Sequence, residues 1–309
     1  MARKLRIQFE NAIYHVINRG NYRQDVFSSV GAAKAFEVAL AETCDRFGWQ
    51  LFAYVIMRNH FHLAVGTPRA NLVEGMHWLQ GTFATRFNRL RSEQGHLFQG
   101  RYQALLVEDT AALVRVVNYI HLNPVRAGIV TLDQMTGFRW SSLRQFVSEN
   151  TPSWLVSAEW REKQRFADSS LGWKSYVEQL VDLAGNPLEQ ERQEFPTMSR
   201  GWAIGTAGWR RAIAKDHADL ALTAGIADGA LQEIKSARCE ELLKQLLSGA
   251  GKRTDDITRD PKSAEWKIIA AQRLRDELGA GFSWISANLN MGSPASVRVY
   301  LCKRRKINN

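Results

Sequence analysis

Met57-Arg-Asn-His-Phe-His-Leu-Ala-Val-Gly66 is the stretch on which the reading of this chain turns. Apolar Val55 and Ile56 precede it and Leu63, Ala64 and Val65 close it, the pattern of a buried strand in a hairpin that turns at Arg58-Asn59. Side chains alternate along a strand, so His60 and His62 point the same way, about 7 Å apart, and Phe61 points to the opposite face. Two imidazoles so placed form a candidate metal clamp.

The hairpin fits a regular series on either side. Ala12 to Arg19 reads as a first strand closed by Gly20-Asn21, where a turn with positive φ is expected. Residues 31–47 follow as a helix with Ala35, Phe36, Ala39, Leu40 and Thr43 on one face, ended by Gly48. After strands 49–56 and 60–66 comes a helix over 71–91, with Met76, Leu79, Phe83, Phe87 and Leu90 at helical spacing. Residues 102–107 form a fourth strand. A helix capped by Asp109 or Thr110 then carries Leu113, Val116, Val117 and Ile120 inward and ends at Pro124. The order β-α-β-β-α-β-α is α+β, ferredoxin-like, with an extra helix and the third strand central. Tyr119 and Asn123 lie one turn apart on that last helix and face one target.

Four motifs occur in this order: Tyr14-His-Val-Ile-Asn-Arg-Gly20, His60-Phe-His62, His96-Leu-Phe-Gln-Gly-Arg-Tyr102 and Tyr119-Ile-His-Leu-Asn-Pro-Val-Arg-Ala-Gly128. Together, across residues 5–146, they resemble the single-tyrosine HUH transposases, and within them the branch of REP-associated tyrosine transposases. The resemblance implies a metal-dependent endonuclease and strand transferase acting on single-stranded DNA, its substrate carrying hairpin or palindromic repeats. Tyr119 would attack phosphorus and form a 5′-phosphotyrosine, freeing a 3′-hydroxyl. A phenol with an ordinary pKa near 10 needs a nearby cation or base for this. His60, His62 and Asn123 would hold Mg²⁺ or Mn²⁺ as a Lewis acid. The family usually has glutamine, histidine or an acid as third ligand, so Asn123 departs from its pattern. No nucleotide fuel is implied, since one phosphodiester is exchanged for a phosphoester of similar energy.

Charge is unevenly spread. Residues 1–146 carry net +7, residues 147–261 net −3 and residues 262–309 net +6, within a total of +10. Two basic blocks predict two nucleic-acid contact surfaces. In the first, Arg19 and Arg58 flank the strand ends, and His96 and Arg101 sit in a loop that mixes cation, aromatic and glycine, a composition suited to unpaired DNA. Cys44, Cys239 and Cys302 are too few and too scattered for a disulfide framework or a cysteine zinc site. With no signal-peptide core and no long apolar run, the expected location is cytoplasmic, without membrane insertion.

The expected domains are 1–146, the HUH nuclease; 147–261, a helical middle region; and 262–309, a DNA-binding region. Residues 147–153 read as the first boundary. Trp154, Trp160, Trp173, Trp202 and Trp209 then punctuate helical segments as core residues, with a polar, linker-like stretch at 185–200. Past a Gly- and Asp-rich linker, a helix over 263–278 precedes two shorter ones joined at Asn290-Met-Gly292. The second is capped by Ser293 with Pro294 in its first turn, a helix-turn-helix pattern. Arg298, Lys303, Arg304 and Arg305 are its candidate DNA contacts. His15 and His121 read as structural. Two alternatives stay open: another HUH enzyme, such as a replication initiator or relaxase, or a non-catalytic regulator that binds DNA through its C-terminal end.

Overall fold

A computed structural model of the protein describes residues 7–148, 151–216 and 228–307. The chain is built as two units, Gln8–Thr206 and the stretch from Ala207 onward.

The first unit is formed around one mixed sheet of order β2-β3-β1-β4-β5. Its strands are β1 (Ala12–Arg19), β2 (Gln50–Ile56), β3 (His60–Thr67), β4 (Gln103–Val107) and β5 (Ala203–Ile204). The first four pair antiparallel in the ferredoxin-like order, with β3 between β2 and β1. The strand β5 joins the edge parallel to β4, through Leu106 and Val107. Strand pleat decides the two faces. On one, Phe61 meets Phe27, Phe36 and Phe98 beneath α1 (Val30–Phe47) and α2 (Leu72–Arg91). On the other, His15 and His62 lie under α3 (Thr110–Arg126), which packs on β2 and β3.

Local chemistry sets the helix ends. Ser29 Oγ accepts from Ala32 N at 3.1 Å to start α1, and Gly48 at φ 65° stops it. Asp109 accepts from Ala112 N at 2.8 Å and starts α3. This helix continues past Pro124 to Arg126 instead of ending there. Proline lacks an amide hydrogen but can sit within the final turn, which closes by Ala127 N donating to Asn123 O. The turn after β1 also differs from expectation: Gly20 has φ −55°, and the positive values fall at Tyr22 and Arg23. Glycine is needed at position 20 because a Cβ would run into the carbonyl of Gln24 and the side chain of Val26.

The expected boundary at 146/147 lies inside this unit. The helices α4 (Ser142–Val147), α5 (Ala158–Lys163) and α6 (Ser170–Ala184) pack Phe146, Trp160, Phe166, Trp173 and Tyr176 into one aromatic cluster that also takes in His121 of α3. The stretch 185–200, expected as a linker, contains α7 (Pro187–Arg192) and a 3₁₀ turn at Phe195–Thr197. Phe195 and Met198 are buried, 2% and 1% exposed, so the polar residues on either side of them are held on an apolar footing.

The second unit is helical: α8 (Ala207–Asp216), α9 (Asp228–Gly249), α10 (Asp256–Arg259), α11 (Glu265–Leu278), α12 (Phe282–Asn288) and α13 (Pro294–Ile307). Leu243, Leu274, Ile285, Leu289 and Val297 form its core. Asn290 and Gly292 take positive φ between α12 and α13, and Ser296 N donates to Ser293 Oγ at the start of α13. Among the described residues no helix is long and apolar enough to cross a membrane.

Candidate active site

The site is assembled from β1, β3, α3 and the 3₁₀ turn of the first unit. From β3, His60 and His62 come to the same face with ring centroids 5.1 Å apart. From α3, the Tyr119 ring stands edge-on to His62 at 5.6 Å and to His15 at 5.7 Å. Phe195 meets Tyr119 edge-on at 5.5 Å, and the Arg126 guanidinium lies 4.9 Å from the Tyr119 ring and 5.2 Å from that of Phe195. Tyr119 is 7% exposed. So a phenol, three imidazoles and one cation are gathered between sheet and helix.

The histidines are electrically quiet. Burial, with Arg19 nearby, pushes His60 down to about 4. Burial also holds His62 well below the usual histidine range, helped by His15, His60, Arg19 and Arg126. Both are neutral imidazoles near pH 7, the form that ligates a cation. His60 Nδ1 lies 2.8 Å from Asn59 Oδ1, an oxygen that can only accept, so Nδ1 carries the hydrogen and Nε2 keeps its lone pair. This donor set fits a divalent ion that takes imidazole nitrogen. Among the described residues no group of three or more His, Cys, Asp or Glu side chains could hold a metal. Asn123 is buried on α3, one turn beyond Tyr119.

The remaining candidates divide. Arg19 is exposed at the end of β1, opposite His60 in the strand register. The 95–101 loop is tied to it, Gln99 N donating to Arg19 O at 2.9 Å, so exposed His96 and Arg101 sit in a loop anchored beside the imidazole pair. Phe98 of that loop is held in the aromatic core with Phe27 and Phe61. Arg58 is exposed at the hairpin turn and paired with Asp25 at 2.7 Å. In the second unit Arg298 is exposed and its guanidinium lies 4.9 Å from the Phe282 ring, which Arg275 meets at 3.9 Å. The side chains of Lys303, Arg304 and Arg305 lie outside the described residues. Lys267, one of the cations in the basic C-terminal block, is fully buried and donates to the carbonyls of Ile257 and Asp260.

Four parts of the site escaped the sequence reading: His15, Arg126, Phe195 and Met198. A signal existed for two of them. Arg126 is seven residues after Tyr119, two helical turns on the same face, and His15 shares a strand face with Arg19, four residues on along β1. Nothing local marked Phe195 or Met198, which reach the site from a segment far along the chain. His121 is structural as expected, between Tyr176 Oη at 2.7 Å and Ser142 Oγ at 2.8 Å.

Residues 8–123 match the family model described as "Transposase IS200 like". A solved structure described as "Structure of the REP associates tyrosine transposase bound to a REP hairpin" is similar at 16% identity and a TM-score of 0.41, covering 51% of this chain and 92% of that one. Another, of a putative transposase from Deinococcus radiodurans R1, is similar at 20% identity and a TM-score of 0.29, covering 49% and 100%. No curated protein matches.

Proposed function

From the match of residues 8–123 to the IS200-like transposase family model, we propose that the protein is a single-stranded DNA endonuclease and strand transferase with Tyr119 as its nucleophile. The observation that carries this reading is the packing of the Tyr119 ring against both His62 and the Arg126 guanidinium. Proposed nucleophile, candidate ligand and cation thus meet at one place.

In the proposed reaction the Tyr119 oxygen forms a bond to phosphorus as the bond from phosphorus to the 3′-oxygen breaks. The phenol gives up its proton, the departing 3′-oxygen takes one up, and the 5′-phosphate stays on Tyr119. Attack by a 3′-hydroxyl on the phosphotyrosine reverses these changes and joins strands. His60 and His62, through their lone-pair nitrogens, and Asn123, through its side-chain oxygen, would hold Mg²⁺ or Mn²⁺. Such an ion supplies Lewis-acid polarisation of the phosphoryl group. Arg126 neutralises charge beside the phenol. The packing of Tyr119 between His62 and Phe195 limits the directions from which the ring can present its oxygen.

Arg19, His96 and Arg101 are proposed to hold the unpaired strand at the His60 end of the sheet, and Arg58 to do so on exchanging Asp25 for a phosphate. In the second unit α12 and α13 are proposed as a helix-turn-helix that contacts duplex through Arg298, Lys303, Arg304 and Arg305. The substrate is then single-stranded DNA beside a hairpin or palindromic repeat, as the resemblance to the REP-associated tyrosine transposases implies. Incubating the protein with end-labelled hairpin DNA and Mn²⁺, then running a denaturing gel, tests this. The expected result is a covalent protein–DNA adduct. Binding without any adduct over a range of hairpins and divalent ions would favour the non-catalytic regulator.

A further inference from the structure

His15 lies on β1 and is fully buried, with both ring nitrogens engaged. Its Nδ1 is 2.8 Å from the carbonyl oxygen of Met198, and its Nε2 is 3.0 Å from His62 Nδ1. A carbonyl oxygen has no hydrogen to give, so His15 Nδ1 must be the donor. A neutral imidazole has only one N–H, which leaves His15 Nε2 an acceptor. The hydrogen between the two rings then belongs to His62 Nδ1, and His62 Nε2 is left with its lone pair. Both rings are buried away from water, which favours the uncharged form of each.

We infer that His15 is a positioning residue: with the Met198 carbonyl it forms a one-directional relay that fixes His62 as its Nδ1–H tautomer and keeps Nε2 as the ligating nitrogen. The relay rests on the proposed function only where it concerns metal. The two tautomers are those of the metal-free protein. An imidazole in solution exchanges tautomers freely, and a ligand histidine in the wrong one offers no lone pair where it is needed. Ligand histidines are ordinarily held by such an outer partner. Here the partner is another histidine, itself oriented by a main-chain oxygen 183 residues away. The turn at Phe195–Thr197 that brings Met198 there also supplies the ring closing over Tyr119. One segment outside the family-matched region therefore orients both the proposed ligand and the proposed nucleophile.

The test uses the full-length chain. Histidine labelled with ¹⁵N in the metal-free wild type, read by two-bond ¹H–¹⁵N correlation, should show His15 and His62 both as Nδ1–H tautomers. Finding His62 as Nε2–H overturns the relay. Mn²⁺ titration followed by electron paramagnetic resonance is the second arm, on wild type, His60→Ala, His62→Ala, His15→Leu and His15→Gln. With His15→Leu, Mn²⁺ affinity should fall ~10–100-fold. His15→Gln, whose amide can accept from His62 and donate to Met198, should lose less. A folded His15→Leu protein with wild-type affinity overturns the relay, provided that the His60 and His62 variants lose Mn²⁺. Should those two bind Mn²⁺ as well as wild type, the metal reading is what fails, and the tautomer spectrum decides the relay. A His15→Leu protein that does not fold leaves the wild-type spectrum and the glutamine variant to decide.

Discussion

Tyr119 carries the heaviest assignment at the scale of single residues, and replacing its hydroxyl separates chemistry from binding. Tyr119→Phe keeps the ring that packs on His62 and Phe195, so DNA affinity should survive while the covalent adduct disappears. An adduct that persists and maps to Tyr14 or Tyr102 would sink the assignment. His60→Ala and His62→Ala should each slow adduct formation ~10²-fold or more in Mn²⁺, read from single-turnover time courses. Histidine burial also has a stability consequence. The folded values are about 4 for His15 and His60 and about 3 for His121, below the ordinary 6.5, so the unfolded chain binds more protons once pH falls below about 6.5. Their contribution is complete above that pH and is lost as pH falls through the folded values. Thermal melts of the metal-free protein should therefore drop from pH 7 to pH 4, and His121→Asn, if it folds, should flatten the slope.

At the scale of elements, α3 and the turn that faces it work as a pair. Arg126 sits two turns along α3 from Tyr119 and meets both its ring and that of Phe195, so the helix supplies both the proposed nucleophile and a cation. Arg126→Gln should slow adduct formation ~10-fold or more through loss of charge next to the phosphate, with Mn²⁺ binding little changed. Equal rates for Arg126→Gln and wild type would reduce Arg126 to a packing residue. Phe195→Ala removes a side chain only 2% exposed and should cost about 3–5 kcal/mol by denaturant unfolding. The same logic covers α6: a Cβ on Gly172 would overlap the carbonyl oxygen of Ala167, so even Gly172→Ala should unseat the helix that carries Trp173 and Tyr176.

For the molecule as a whole, the division into Gln8–Thr206 and the stretch from Ala207 changes where the chain can be cut. A protein ending at Thr206 retains β5, Phe195 and Met198; it should fold and form the adduct on single-stranded DNA. One ending near residue 150 loses all three together with Trp160, Trp173 and Tyr176, and should be unfolded or inactive by circular dichroism and adduct assay. The 206-residue form should also bind its preferred hairpin more weakly and with a shallower dependence on salt, because the phosphates neutralised by the C-terminal unit are lost. Full affinity with an unchanged salt slope would mean that α12, α13 and their cations are only a solvated surface.

What the sequence determined by itself is what depends on short range. Strand alternation put His60 and His62 on one face, a 3.6-residue repeat put Tyr119 and Asn123 on another, and the order of elements gave the ferredoxin-like sheet with β3 inside. Caps and turns at Asp109, Gly48 and Ser293 were legible for the same reason, since the groups that form them are neighbours in the chain. Tertiary structure alone decided the rest. The charge step and polar composition after residue 146 suggested a boundary, yet composition does not report which apolar face a segment will cover; Phe195 and Met198 cover the site, and β5 extends the sheet. The role of His15 was equally out of reach, because a tautomer is chosen by hydrogen-bond partners. Those partners, His62 and the Met198 carbonyl, meet His15 only after chain segments 47 and 183 residues away have folded against it.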